Sequence, residues 1–253
     1  MKRVVIKIGS QTIVDAKGTL NIHRMAELIR QIAILKESGF AVVLVTSGAV
    51  ASGTGLLPIS SSSDVVKKQI LASLGQAKLI ETYNFILKHY GLMASQILLT
   101  KEDFKTQTHN ENITHLFGEL LLQQNILPIV NENDTVAITE LMFTDNDELA
   151  SLVAEKINAD CLVILTNVNG VYDQDPANPS AKVIAHLQAT GEAWPEISAS
   201  KSQHGRGGMQ SKLTTARKLA ALGINTHIAN ADEPNVLLRL IAEKERLGTE
   251  ITP

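Results

Sequence analysis

One cysteine in 253 residues, Cys161, excludes an internal disulfide. It lies in the apolar run CLVIL and reads as a small buried hydrophobe. Aromatic residues are scarce at 4%, so the core has to be built from Val, Ile, Leu and Ala. That bias suits a buried, largely parallel sheet flanked by helices. No segment approaches the roughly 18 apolar residues of a membrane helix, and Lys7 breaks the amino-terminal run MKRVVIKIGS after VVI. Neither a signal peptide nor a membrane span fits, and a reducing cytoplasm is the expected location. A basic excess is also missing: the net charge is -3 and the pI about 6.2. No patch suited to counterion release follows, so nucleic acid is not an expected partner. The seven histidines show no metal-ligand spacing with cysteine or acidic residues, and no protein-held metal is expected. There is no internal repeat and no flexible linker.

What is present is an alternation of short β-branched runs with helical stretches. Strands are expected at 4–8, 41–46, 94–100, 126–130, 161–166 and 226–229. A helix over 21–38 carries Ile22, Met25, Leu28, Ile29, Ile32 and Leu35 at helical spacing, with Gly39 as its stop. Further helices are expected over 64–90, capped by Asp64, over 111–125, from about Asn146, over 208–222 and over 234–243. The segment 134–144 reads as a β-hairpin over a site. Strand–helix alternation of this kind predicts a three-layer αβα sandwich around a largely parallel, doubly wound sheet.

In such sheets ligands bind beyond the carboxyl ends of the strands. Lys7 interrupts an apolar strand just before Gly9 and Ser10, and an ammonium buried there is costly unless an anion pairs with it. Thr46, Ser47, Gly48 and Ala49 follow the second strand, small enough to leave room for a ligand; they match no P-loop spacing. Asn131, Glu132, Asn133 and Asp134 follow the fourth, and Asp145, Asn146 and Asp147 open a helix soon after. Asn and Asp are common in turns and caps, but two such clusters at strand ends could also grip an α-amino group and orient cationic side chains. The loop Gly205, Arg206, Gly207, Gly208, Met209, Gln210, Ser211, Lys212 delivers a lysine at a helix start, which fits polyphosphate binding. Lys7 and Lys212 could hold opposite ends of a moving phosphoryl group, with Asp147 holding both ammonium groups in place. No residue stands out as a base for an alcohol acceptor. An acceptor already ionised as a carboxylate needs none.

Taken in order, VIKIGS (5–10), VTSGAVASG (45–53), LASLGQ (71–76), QILLT (96–100), LPIVNENDTVA (127–137), DNDELAS (145–151), LTNVNGVYDQDP (165–176) and GGMQSKL (207–213) resemble the amino acid kinase superfamily and, within it, the glutamate 5-kinases. NEND followed by DND separates this reading from sister kinases of aspartate, acetylglutamate, carbamate or UMP.

The resemblance implies a single domain over 1–253, with an amino-acid-binding lobe over about 1–157 and an ATP-binding lobe over about 158–253. It implies transfer of the γ-phosphoryl group of ATP to L-glutamate, the first step of proline synthesis. L-Glutamate would be bound by Ser47, Asp134 and Asn146. Lys7 and Lys212 would act on the transferring phosphoryl, organised by Asp147. ATP would be held by Lys7, Thr166, Asn167 and the loop Arg206, Gly207, Gly208, Met209, Gln210, Ser211, Lys212, with Mg²⁺ arriving on the nucleotide phosphates. Feedback inhibition by proline and a homo-oligomer, dimer or tetramer, are expected partners of that activity. A non-catalytic ligand sensor on the same fold would be expected to lack one of the two lysines or Asp147, and all three are present. Three departures stand out: Asn167 where the family usually has Asp, Arg206 where it usually has Thr, and an end at Pro253 with no PUA domain. The stretch 101–112 is also less basic than in the family.

Overall fold

The computed structural model describes all residues except 16, 57–58, 62, 138–144, 192–193 and 195–207. Among the described residues, one eight-stranded sheet runs through the molecule. Its strands are β1 (Arg3–Ile8), β2 (Ala41–Val45), β3 (Met93–Leu99), β4 (Ile126–Glu132), β5 (Cys161–Thr166), β6 (His186–Gln188), β7 (Asn225–Asn230) and β8 (Thr249–Thr252). The spatial order is β3-β4-β2-β1-β5-β7-β8-β6. Pairing is parallel except between β7 and β8. The central strands are apolar on both faces because helices cover both, which is why their sequences read as runs and not as alternations.

The helices are α1 (Ser10–Ile13), α2 (Ile22–Glu37), α3 (Ala49–Thr54), α4 (Asp64–Leu87), α5 (Gln107–Leu122), α6 (Asn146–Lys156), α7 (Met209–Ala220) and α8 (Val236–Ile241). Two cores result, one on each face of the sheet. On one face Val4, Ile6, Val42 and Leu44 meet α2, α4 and α8 through Leu28, Ile32, Leu79, Tyr83 and Leu237. On the other Val5, Val43, Val45 and Ile164 meet α5, α6 and α7 through Phe117, Leu149, Val153, Leu213 and Ala216. Burying each Val, Leu, Ile or Phe among them contributes roughly 1.5–3 kcal/mol. Side chains alternate along a strand, so Lys7 shares the face of Val5 and is aimed at α6 and α7.

Every strand expected from sequence is present, and each long helix falls within a few residues of its expected place. The differences have local causes. Helix α4 is capped by Ser63, not Asp64: Ser63 Oγ accepts from Val66 N at 3.4 Å, and Asp64 occupies the first turn. Strand β4 runs on through Asn131 and Glu132, which are buried in the sheet and not in a turn. The three- and four-residue strands β6 and β8, like the short helices α1 and α3, are too brief to show periodicity. The hairpin expected over 134–144 falls largely on 138–144, outside the described residues. No described helix is long and apolar enough to cross a membrane.

Candidate active site

The chain enters the sheet at β1, adds β2 on one side and later β5 on the other. The crevice this creates at the carboxyl ends is where open α/β sheets take ligands. A cavity of about 670 Å³ occupies it. Its wall includes Lys7, Ser47, Asp134, Asn146, Asp147, Thr166, Asn167, Gly208, Met209 and Lys212. Of the remaining expected residues, Gln210 and Ser211 lie in the first turn of α7 away from this wall, and Arg206 and Gly207 fall outside the described residues.

Asp147 is the electrostatic centre. Its carboxylate is fully buried, with Oδ1 2.7 Å from Lys7 Nζ and Oδ2 accepting from Lys212 Nζ at 2.7 Å. Both ammonium groups are themselves largely buried. One acid thus holds together two lysines 205 positions apart in sequence. Burial pushes the Asp147 carboxyl up, but the two ammonium groups outweigh it and hold the group below the ordinary carboxylate range. Asp147 is placed by its neighbour: Asp145 caps α6, its Oδ1 accepting from Asp147 N at 2.9 Å and Glu148 N at 3.0 Å. The other oxygen, Asp145 Oδ2, is buried and has no hydrogen-bond partner among the described residues.

Beside this centre lies a network of neutral groups. Asn146 Nδ2 donates to Thr46 O at 2.5 Å, Ser47 Oγ at 2.7 Å and Asn131 Oδ1 at 2.9 Å. Asn131 Oδ1 also accepts from Glu132 N at 2.9 Å, and Asn131 Nδ2 donates to Gln76 Oε1 at 2.8 Å. Tyr83 OH and Thr46 Oγ1 are 2.8 Å apart. The structure therefore brings Ser47 and Asn146 into direct contact, with Asp134 on the same wall. On the opposite side Thr166 Oγ1 donates to Asn167 Oδ1 at 3.4 Å.

Behind the Ser47 side, glycine lets two helices approach closely. A Cβ on Gly75 would lie 1.8 Å from Ala49 O, and one on Gly53 would lie 1.9 Å from Leu71 O, so α3 and α4 approach to backbone contact. Gly48, with φ +99°, turns the chain from β2 into α3. Sequence reasoning passed over Gln76 and Tyr83 as site supports, and Lys68 and Tyr172 as cavity lining. Their signal, polar residues on the inner face of a long helix and in a late loop, has meaning only once the strand ends are assembled.

The profile of the amino acid kinase family matches residues 2–230. A glutamate 5-kinase of Chlorobaculum tepidum is 44% identical over 252 residues, covering 98% of this chain and 68% of that protein. One from Bacteroides thetaiotaomicron is 40% identical over 244 residues, with 96% and 68% covered. Glutamate 5-kinase 2 of Bacillus subtilis is 41% identical over 250 residues, with 96% and 66% covered. Among solved structures, UMP kinase from Bacillus anthracis superposes with a TM-score of 0.65 at 21% identity, covering 99% of this chain and 96% of that one. UMP kinase from Ureaplasma parvum gives 0.65 at 18% identity, with 100% and 99% covered. At such identities the structural likeness speaks to the fold.

Proposed function

The chain belongs to the amino acid kinase family, and we infer that it transfers the γ-phosphoryl group of ATP to the side-chain carboxylate of L-glutamate. The products are ADP and L-glutamyl 5-phosphate, in a cytoplasmic step of proline synthesis. The observation that carries this reading is the buried Lys7–Asp147–Lys212 cluster at the floor of a cavity whose adjacent wall presents Ser47, Asp134 and Asn146.

In the transfer, a carboxylate oxygen of glutamate attacks the γ-phosphorus, the bond from that phosphorus to the bridging oxygen breaks, and ADP departs. Negative charge spreads over the transferring group and the leaving oxygen, so the protein's task is charge neutralisation and alignment. Lys7 and Lys212 supply the positive charge. Asp147 keeps both ammonium groups fixed in advance, so little reorganisation is needed when the phosphates arrive. The acceptor is ionised at neutral pH and needs no general base. Asp134 and the Oδ1 of Asn146 receive the α-ammonium group, and the Ser47 region receives a carboxylate. Thr166, Asn167 and the Arg206–Lys212 loop hold the nucleotide, so the amino acid lies against the amino-terminal half of the chain and ATP against the other half.

Among the described residues no three His, Cys, Asp or Glu side chains cluster as a metal cage, and both Asp147 oxygens face lysines. Mg²⁺ fits this site as an ion carried by the nucleotide phosphates, where it neutralises their charge. Inhibition by proline and a homo-oligomeric state belong to the same reading.

An ADP-release assay with glutamate, aspartate, acetylglutamate, carbamate and UMP as acceptors, run with and without proline, tests the function. Turnover with glutamate is expected; turnover with another acceptor and none with glutamate assigns a sister kinase. No turnover with any acceptor leaves a ligand sensor.

A further inference from the structure

We propose that Gln76, a residue of α4 whose side chain meets Asn131 and does not line the cavity, is a specificity-determining positioning residue for the amino-acid acceptor. The inference rests on the reading that the cavity receives the acceptor through its α-ammonium group.

Two backbone groups beside these amides have fixed polarity. A backbone N–H only donates and a backbone carbonyl only accepts. Glu132 N lies 2.9 Å from one terminal atom of Asn131, which is therefore the oxygen. Asn131 must then turn its NH₂ toward α4, where Gln76 Oε1 accepts at 2.8 Å. The oxygen so fixed accepts from Asn146 at 2.9 Å, and Thr46 O accepts from the same nitrogen at 2.5 Å. Both neighbours demand a donor. Asn146 is thereby obliged to keep its nitrogen inward, leaving its carbonyl oxygen as the end available to the cavity that it lines. An oxygen there welcomes an ammonium group; a flipped amide would present two N–H donors and repel it. Gln76 anchors the far end of this relay from a position 8% exposed.

Helix α4 is built for the task. Gln69, Gln76 and Tyr83 are seven residues apart, nearly two helical turns, and so share one face. Gln69 Nε2 donates to Thr135 O at 2.9 Å, beside Asp134, and Tyr83 OH meets Thr46 Oγ1 at 2.8 Å, beside Ser47. Three polar rungs on one helix thus support three parts of the acceptor wall.

Without an acceptor at residue 76, Asn131 Nδ2 becomes a buried orphan in its present orientation, and the flipped amide sets NH₂ against Glu132 N–H. Neither orientation is satisfied, and whenever Asn131 flips, Asn146 keeps Thr46 O but loses the second of the two acceptors that hold its nitrogen inward.

The test compares Gln76→Leu and Gln76→Met, which cannot accept, with Gln76→Glu, which can. The readouts are KM for L-glutamate, KM for ATP, kcat, and Ki for glutarate, which has both carboxylates and no ammonium group. In Gln76→Leu and Gln76→Met the KM for glutamate rises about tenfold, as expected for one misdirected hydrogen bond. The Ki for glutarate and the KM for ATP stay within about threefold, and Gln76→Glu retains the wild-type ratio of glutamate KM to glutarate Ki. An unchanged ratio in either apolar variant, or an equal loss for glutamate and glutarate, overturns the proposal. Should one apolar variant fail to fold, the other decides. If wild-type protein shows no turnover with glutamate, the functional reading has failed, and that is seen before any variant is made.

Discussion

Replacing Asp147 with Asn removes one negative charge from between two ammonium groups and changes almost no volume. At 2.7 Å each ion pair has a gross attraction of about 6 kcal/mol at an effective dielectric constant of 20. Much of that is offset by desolvation of three buried charges. The net penalty for breaking a buried pair is roughly 3–5 kcal/mol. An Asn can accept from one lysine but turns N–H toward the other, so the lower half of that range is the floor. At roughly 2–4 °C per kcal/mol for a chain of this size, apo Asp147→Asn should melt about 10 °C below wild type. The gap should hold steady from about pH 8 to pH 5. Asp147 sits below the ordinary carboxylate range, so its contribution is present above the unfolded value of about 3.9 and is lost only as pH falls through the folded value. Saturating Mg-ATP should then narrow the gap, because phosphates supply the missing counter-charge to Lys7 and Lys212. The nucleotide should bind the variant about tenfold more tightly, worth about 1.4 kcal/mol of extra rescue, while kcat falls. Thermal unfolding by circular dichroism, with and without Mg-ATP, reads all of this. An apo variant melting within about 2 °C of wild type, where a loss of about 10 °C is expected, or a gap just as wide with nucleotide as without, would refute the reasoning.

Lys7→Ala and Lys212→Ala should each lower kcat by about 100-fold or more, if each supplies roughly 3 kcal/mol of transition-state stabilisation; turnover near wild type in both would remove them from the chemistry. Asp134→Ala should raise KM for glutamate and leave ATP affinity intact, and a calorimetric titration with unchanged glutamate affinity would contradict that role. Gly75→Ala places a methyl 1.8 Å from Ala49 O and 2.4 Å from Gly53 N. Overpacking of that kind costs about 1–3 kcal/mol or more, so its melting temperature should fall by several degrees; an unshifted melt would show that α3 and α4 can separate freely.

Much of the sheet was legible because the central strands are apolar throughout and the helices between them are amphipathic over three or more turns. Met25, Leu28, Ile29, Ile32 and Leu35 trace the inner face of α2 in the sequence, while Ile22, at the same spacing, is exposed in the first turn; Asn21 and Gly39 bracket the helix: Asn21 Oδ1 accepts from Arg24 N, and Gly39 adopts φ +85°. The cap of α4 falls one residue before the expected Asp64 because Ser63 and Asp64 are both good caps, and backbone geometry decides which stays outside the helix. Strand β4 runs two residues past its expected end at Val130, because Asn131 and Glu132 have poor strand propensity and give no strand signal. Buried partners override that preference: the Asn131 amide is satisfied by Gln76, Asn146 and Glu132 N. Strands β6 and β8 complete each other across the sheet edge through His186–Glu250 and Leu187–Ile251 pairing. That information is non-local and has no trace in a three-residue window.

The charged part of the candidate site could be read as chemistry before it could be placed. A lysine inside an apolar strand demands an anion, and strand parity then fixes which face supplies it: Lys7 follows Val5 toward α6 and α7, where Asp147 and Lys212 lie. The neutral part could not be read in that way. Whether an asparagine offers a ligand its oxygen or its nitrogen is decided by what its other end meets. For Asn146 that is Thr46 O, 100 residues back, and Asn131, itself held by Gln76, 55 residues earlier. Charge is a property of a residue type and survives in a string of letters. The direction of an amide is a property of a closed network, and it exists only once the fold has brought β2, β4, α4 and α6 to one corner. If the Gln76 relay sets the direction of Asn146, selectivity among carboxylate acceptors rests on the part of this protein that its sequence shows least.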